Sequence, residues 1–249
     1  LYEISEIICK VKEPQPQELE LLNSSHVLFG YLHLSSNISL TKALLDKKLT
    51  AIATEMIMNG KEYPLLIPMS KIAGKLAVQK GMQFLEYSAK GKGVLLSAIS
   101  EEKNSKVTVI GCGEVGRASI HKSIQIGASV TAIDVNENTL KDLKNQYGEN
   151  ISTFVNGTEE AANAVRLADL VIGAVLLPGR KPPIVISEED INKMEKGSVI
   201  IDVAIDQGGC VEGVKPNTHS EPFEIRNGVI VSAIANLPGA VPRTSSIEL

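Results

Sequence analysis

Residues Lys106 to Asp134, KVTVIGCGEVGRASIHKSIQIGASVTAID, constrain the fold more than any other stretch of the chain. The segment opens with an apolar run, Val107, Val109 and Ile110, of strand composition. Gly111, Gly113 and Gly116 follow at G-x-G-x-x-G spacing. A helix-periodic stretch then reaches Gly127, and a second apolar run, Val130 to Ile133, ends at Asp134. Strand, glycine turn, helix, strand and acid, in that order, are the parts of a dinucleotide-binding βαβ unit. In that unit Gly111 permits the tight turn, Gly113 lets backbone approach a pyrophosphate, and Gly116 lets the helix pack close to the strand. The helix N-terminus offers unpaired N–H groups and a partial positive charge to phosphates. Asp134 lies 18 residues beyond Gly116, where a carboxylate can accept from ribose hydroxyls. The residues after it, Val135, Asn136 and Glu137, include no arginine. A 2′-phosphate there would face two carboxylates, and one such pair at ~4 Å costs on the order of 4 kcal/mol at an effective dielectric of 20. The expected cofactor is NAD rather than NADP.

The rest of the composition narrows the class. A chain of 249 residues with 43% hydrophobic and 22% charged residues is that of a globular protein with one large or two modest domains. A formal net charge of −4 and the absence of tryptophan offer neither a basic footprint nor a stacking platform for nucleic acid. No apolar run approaches the roughly 20 residues of a membrane span, and no signal peptide is visible. Cys9, Cys112 and Cys210 are odd in number and widely spaced, which suits buried or turn thiols in a reducing, cytoplasmic setting. No two histidines have ligand spacing, so no metal is expected. The first residue is leucine and the opening residues already lead toward a strand, so the chain is expected to be a fragment of a longer protein.

Strand and helix patterns alternate along the whole chain, predicting parallel sheets. Apolar runs at 7–11, 26–34 and 49–54, with a helix over 37–47, predict a small α/β domain. A long helix pattern from Met69 to about Tyr87, weakened by Gly74 and Gly81, is expected to connect it to a second domain. Gly91-Lys92-Gly93 and the polar run Ser100 to Ser105 read as loop, placing the boundary near residue 90. After Asp134 the predicted elements are a helix over 138–147, a strand over 151–155, a helix over 158–168 and an apolar strand over 169–177. A stiff loop, Pro178 to Pro183, comes next. Ser187 to Asp190 resembles a capping box opening a helix that ends near Gly197. Strands are expected at 198–204 and 229–235. The expected architecture is a doubly wound parallel sheet over 91–240, a smaller α/β domain over 1–90, and a start of return to that domain over 241–249.

Ligands of open parallel sheets bind beyond the carboxyl ends of the strands. Lys12, His33, Asp134, Asp206 and Asn236 each follow an apolar run and so fall at such ends. Lys12 reads either as a solvated surface lysine or as the cation that holds a substrate carboxylate or carbonyl. His33 reads either as a satisfied structural residue or as a general acid–base group, since imidazole titrates near neutrality. Asp206 opens a glycine-rich turn, as a cap or as a functional acid; Asp202, within the preceding strand, could instead be the buried, hydrogen-bonded carboxylate.

With these residues in place, the chain resembles the alanine dehydrogenase family, related to the nucleotide domain of proton-translocating transhydrogenases. The stretches that carry the resemblance are KVKEP at 10–14, YLHL at 31–34, PLLIPMS at 64–70, GKGVLL at 91–96, IGCGEVG at 110–116, DLVIGAVLLPG at 169–179, GSVIIDVAIDQGGCVE at 197–212 and ANLPGAVPRTS at 235–245. The acid at Asp206 favours the alanine dehydrogenase branch. The resemblance implies reversible oxidative deamination of L-alanine by NAD, yielding pyruvate and ammonium, in a homo-oligomer, usually a hexamer, with no nucleic-acid or membrane partner. It implies that Lys12 anchors the substrate and that His33 and Asp206 share proton transfer. It also implies that Ser70, Gly111, Gly113, Gly116, Asp134, Val175, Asn236 and Leu237 line the cofactor. The family pattern begins with an earlier segment bearing a substrate-binding arginine and continues with helices past PRTS. The smaller domain is therefore expected to be truncated, with unpaired apolar edges. Thr139 replaces a basic residue of the family's adenosine loop. A non-catalytic NAD-binding relative and a transhydrogenase subunit are the alternatives.

Overall fold

The computed structural model describes residues 1–60, 62–97, 99, 105–177 and 179–249. They form two compact units: Leu1–Pro68 with Leu177–Lys181 and Leu249, and Met69–Leu176 with Pro182–Glu248. The expected loop residues 100–104, and Pro178 at the head of the stiff loop, lie outside the described residues.

The smaller unit holds three parallel strands, β1 (Ile7–Lys10), β2 (Val27–Gly30) and β3 (Thr50–Ala53), side by side in that order. Two helices accompany them, α1 (Pro16–Leu19) and α2 (Ile38–Lys47). Ile8 and Leu28 point to one face and pack with Leu22, Leu32, Leu40 and Leu44. Ile7 and Ile52 remain exposed. The Asn37 side chain accepts from Leu40 N–H and caps α2. Helix α1 was hidden in a polar stretch; a capping box between Gln15 and Glu18 and a proline at its first position produce it.

The helix expected from Met69 is α3 (Leu66–Phe84), one turn earlier than the periodicity suggests. Ile72, Leu76, Ala77, Val78 and Phe84 are buried in the main core of the larger unit. The division between units therefore falls at the start of this helix, at Pro68, rather than near residue 90. Gly74 and Gly81 are contact points in α3. A Cβ on Gly74 would lie 2.3 Å from the Val115 carbonyl oxygen, and one on Gly81 would meet the Leu170 side chain.

The remaining strands of the larger unit are β4 (Lys106–Ile110), β5 (Ser129–Asp134), β6 (Ile151–Val155), β7 (Leu170–Gly173), β8 (Val199–Asp202), β9 (Glu224–Arg226) and β10 (Val229–Ser232). They form one sheet in the order β6-β5-β4-β7-β8-β10-β9, with all neighbours parallel except β9 against β10. Helices α4 (Glu114–Gln125), α5 (Glu137–Tyr147), α6 (Glu159–Arg166), α7 (Glu188–Lys193) and α8 (Pro242–Glu248) complete it. Alternate strand residues serve opposite faces. Val107, Val109, Leu170, Ile172 and Ile201 join α3, α4 and α5 in one core. Ile110, Ile133, Val171, Ile200 and Val231 join α6 and α7 in the other. Buried on both faces, these strands read as continuous apolar runs. The sheet is doubly wound, as the sequence predicts. The Ser187–Asp190 capping box is present, but α7 ends at Lys193, short of Gly197.

The amino ends of the strands are tied together. Lys92 Nζ binds Asp169 Oδ1 at 2.5 Å and Glu195 Oε2 at 2.7 Å, while Asp169 Oδ2 accepts from Lys106 N–H, the first residue of β4. Lys92 N–H donates to the Gly197 carbonyl, and Gly197 N–H to Gly228, just ahead of β8 and β10. Burial lowers the Lys92 pKa, but the two carboxylates outweigh it and raise it above its ordinary value, so the ammonium stays charged.

Candidate functional site

The carboxyl ends of the strands carry the candidate residues. In the larger unit β4 turns directly into the glycine loop. Gly111 adopts φ +90°, and a Cβ there would strike the Ala174 carbonyl and Val175 N–H. A Cβ on Gly116 would sit 1.9 Å from the Gly111 carbonyl oxygen, so the start of α4 can lie on the end of β4 only without a side chain. Gly113, the N-cap of α4, faces open space, and no side chain caps the helix. Each glycine thus has the geometry its spacing predicts, with Val175 beside the first.

Asp134 closes β5. Its Oδ2 accepts from Cys112 N–H at 2.6 Å and its Oδ1 from Asn136 N–H at 2.8 Å. The carboxylate therefore braces the glycine loop and retains lone pairs on both oxygens. Burial and the Asp134 charge push the Cys112 thiol up to about 12 despite Arg117 nearby. Cys210 is raised well above its ordinary value by burial and Asp202. Both thiols stay protonated and non-nucleophilic at neutral pH. Among the described residues no three His, Cys, Asp or Glu side chains are grouped to hold a metal.

Strand β8 ends at Asp202, not Ala204. The Asp202 side chain is fully buried and accepts from Ala204, Cys210 and Val211 N–H, with the Cys210 thiol at 3.4 Å. Its bond to Ala204 N–H turns Val203–Gln207 into a 3₁₀ helix, which ends the strand early. Asp202 is thus the buried structural acid, and Asp206 lies in the 3₁₀ turn that it anchors. Asp206 Oδ2 accepts from Asn236 N–H at 3.2 Å. Asn236 has φ +56° and opens the Leu237–Ala240 turn, with Leu237 buried. Asp206, Asn236 and Leu237 are therefore neighbours. Ser70 is buried in α3.

In the smaller unit β2 ends at Gly30 rather than running through Leu34. The buried Glu55 carboxylate accepts from Leu32 N–H at 3.2 Å and His33 N–H at 2.7 Å, which removes both groups from a strand ladder. His33 takes φ +45°. Strand β1 likewise ends at Lys10, with Lys12 and Glu13 in the turn beyond it. Glu13 Oε2 lies 3.5 Å from His33 Nδ1. Glu13 and Glu55 are the residues sequence reasoning missed. Pro14, which holds Glu13 extended beside Lys12, was the available signal for the first; nothing in the local sequence marks the second.

Two carboxylates of this unit are strongly acidic. Burial raises the Glu13 carboxyl, but His33, the Glu13 backbone and Lys12 together bring it down to about 2. Glu18 is drawn to about 2 by Lys10 Nζ at 2.5 Å and by Gln15 N–H, with the Tyr2 hydroxyl also donating. A carboxyl whose folded pKa lies below its unfolded value stabilises the fold above that unfolded value. The contribution is lost as pH falls through the folded pKa. The smaller unit is therefore expected to lose stability between the ordinary value of 4.5 and about 2. Acid titration followed by circular dichroism tests this, and Glu18→Gln should flatten the dependence.

Comparison with known proteins places these sites in context. The family model described as alanine dehydrogenase/PNT, C-terminal domain, matches residues 77–249, and the corresponding N-terminal domain matches residues 1–73. An alanine dehydrogenase of Bacillus subtilis (strain 168) is 47% identical over 98% of this chain and 65% of its own length. One from Methanococcus maripaludis is 45% identical over 100% of this chain and 67% of its own. The chain thus spans about two thirds of the length of these relatives. A solved L-alanine dehydrogenase matches with a TM-score of 0.86 at 42% identity, over 98% of this chain and 68% of that one. A transhydrogenase from Sinorhizobium meliloti matches with a TM-score of 0.75 at 24% identity, over 98% of this chain and 71% of that one, a likeness of fold alone.

Proposed function

The chain belongs to the alanine dehydrogenase/PNT family, and from that membership we propose that the whole protein catalyses the reversible oxidative deamination of L-alanine to pyruvate and ammonium with NAD. Relatives named alanine dehydrogenase at 42–47% identity support the substrate. The observation that carries the chemistry is an acid–base group and a cation leaving adjacent parallel strands: His33 beyond β2 and Lys12 beyond β1.

The glycine loop fits a dinucleotide. Gly113 leaves room for a pyrophosphate, α4 offers uncapped N–H groups, and Asp134 keeps acceptor capacity for ribose hydroxyls. A bound nicotinamide would supply hydride chemistry at the substrate Cα. Lys12 holds the substrate carboxylate as a charged donor. His33 removes a proton from the water that adds to the imine, and Asp206 carries the neighbouring proton transfer and balances the iminium charge. Ser70, Val175, Asn236 and Leu237 would line the cofactor. We place the reaction in the cytoplasm, where the three free thiols stay reduced, and in a homo-oligomer.

Asp134 and Glu137 set the cofactor preference. NADH is expected to bind more tightly than NADPH by tenfold or more, since ~1.4 kcal/mol of repulsion suffices for that ratio; a fluorescence titration giving tighter NADPH binding removes the assignment. The activity is tested by adding pyruvate and ammonium to the intact protein with NADH. Loss of NADH absorbance with formation of alanine is expected. Binding of NADH without turnover would make the protein a non-catalytic relative, and hydride transfer between two dinucleotides without an amino acid would make it a transhydrogenase.

A further inference from the structure

We propose that Glu13 is the positioning residue of His33: its carboxylate takes the imidazole Nδ1–H, fixes the ring tautomer and leaves Nε2 as the nitrogen that exchanges a proton with substrate. The inference deepens the assignment of His33 above and rests on it for its catalytic meaning, though not for its geometry.

Glu13 Oε2 and His33 Nδ1 face one another at 3.5 Å. Both atoms are shut off from water, and neither has a hydrogen-bond partner among the described residues. A buried imidazole nitrogen opposite a buried carboxylate oxygen is satisfied when the nitrogen carries the proton. The His33 side chain keeps 12% of its surface exposed, so the ring is held but not sealed. His26 behaves differently. Its Nδ1 accepts from Asn23 N–H and its Nε2 contacts the Tyr2 carbonyl, which leaves no nitrogen for chemistry.

The rest of the His33 surroundings fix the ring without engaging Nδ1. Tyr31 stacks on it at 6.4 Å with the planes 20° apart. Glu55 grips its main-chain N–H at 2.7 Å. Lys12 adds its charge beside Glu13 and helps to keep that carboxylate ionised. Glu13 is thus a permanent anion across the range in which an imidazole titrates. Such an anion stabilises the imidazolium that forms when His33 accepts a proton. Glu13 acts through His33, as the buried acid of a carboxylate–histidine pair does.

Nitrogen NMR of the imidazoles in the intact protein tests this, with His33→Gln identifying the resonance. The neutral ring is expected as the Nδ1–H tautomer. In Glu13→Gln the Nδ1–H preference should weaken, and in Glu13→Asp, which keeps the anionic acceptor, it should return toward that of the parent. In Glu13→Gln kcat should fall while KM for pyruvate changes less than kcat, and Glu13→Asp should recover part of the loss. An Nε2–H tautomer in the parent protein, or an unchanged Nδ1–H preference in Glu13→Gln, overturns the proposal. If Glu13→Gln does not fold, the parent tautomer and that of Glu13→Asp decide it. If the parent protein has no turnover, the reading of function fails while the NMR arms still decide the pairing.

Discussion

Replacing His33 with alanine in the intact protein is expected to slow the amination of pyruvate by about 10²–10⁴-fold, the range that a positioned acid–base group contributes, while NADH binding is unchanged. The separation follows from where the residue sits. His33 belongs to the smaller unit, and the glycine loop with Asp134 belongs to the larger. The backbone at His33 is left-handed and is held by Glu55, so an alanine there adds some strain. His33→Asn is the control, because asparagine tolerates that conformation and still lacks a titrating group. Both variants should fail alike. Asp206→Ala should match them in rate, with the added loss of the acceptor for Asn236 N–H. A rate within tenfold of the parent in either His33 variant would take the imidazole out of the mechanism, and the same result for Asp206→Ala would take out that carboxylate.

The largest expected effect on stability is at Asp202. Asp202→Ala strands the Ala204, Cys210 and Val211 N–H groups in the core. An unmade buried hydrogen bond costs about 1–3 kcal/mol per group, so a loss of roughly 3–9 kcal/mol is expected for the three groups, a large part of a domain's usual margin. Asp202→Asn should cost less, since a carboxamide oxygen can serve two of the three donors but its NH₂ opposes the third. The turn has no slack to absorb the change. A Cβ on Gly209 would already stand 2.6 Å from Val214 and 3.0 Å from Asp202 Oδ2. Urea denaturation measures the loss. An alanine variant as stable as the parent would mean that water or rearranged backbone satisfies those groups.

Much of the larger unit was legible because its signals are local. Gly111, Gly113 and Gly116 sit at a spacing that predicts a tight turn, an open approach and close helix packing, and the structure has all three. The Ser187 capping box announces its helix, and Thr158, where a helix is expected to begin, caps that helix. The errors share a cause. Strands were expected to run to Leu34 and Ala204, because apolar composition continues past the last ladder residue. In both places a carboxylate takes over the backbone donors, Glu55 at Leu32 and His33, and Asp202 at Ala204. For Glu55 the partners are 22 and 23 residues distant in sequence, beyond the reach of any periodicity. Strand β9 was missed for a related reason: its three residues, Glu-Ile-Arg, gain their structure from antiparallel pairing with β10, not from their own pattern. The unit boundary was misplaced because helix α3 reads alike whether it serves as a connector or as part of a core; its buried face, Ala73, Ala77 and Val78, assigns it to the core.

The Lys92 tie has a consequence for how such a molecule can change. Lys92, Asp169 and Glu195 fasten the sheet at the end opposite to Gly111, Asp134 and Asp206. Cohesion and reactivity are thus segregated along the length of the same strands. The tips can be rewritten to suit another ligand while the root keeps its grip, which makes this half of the molecule a natural chassis for exchanging loops.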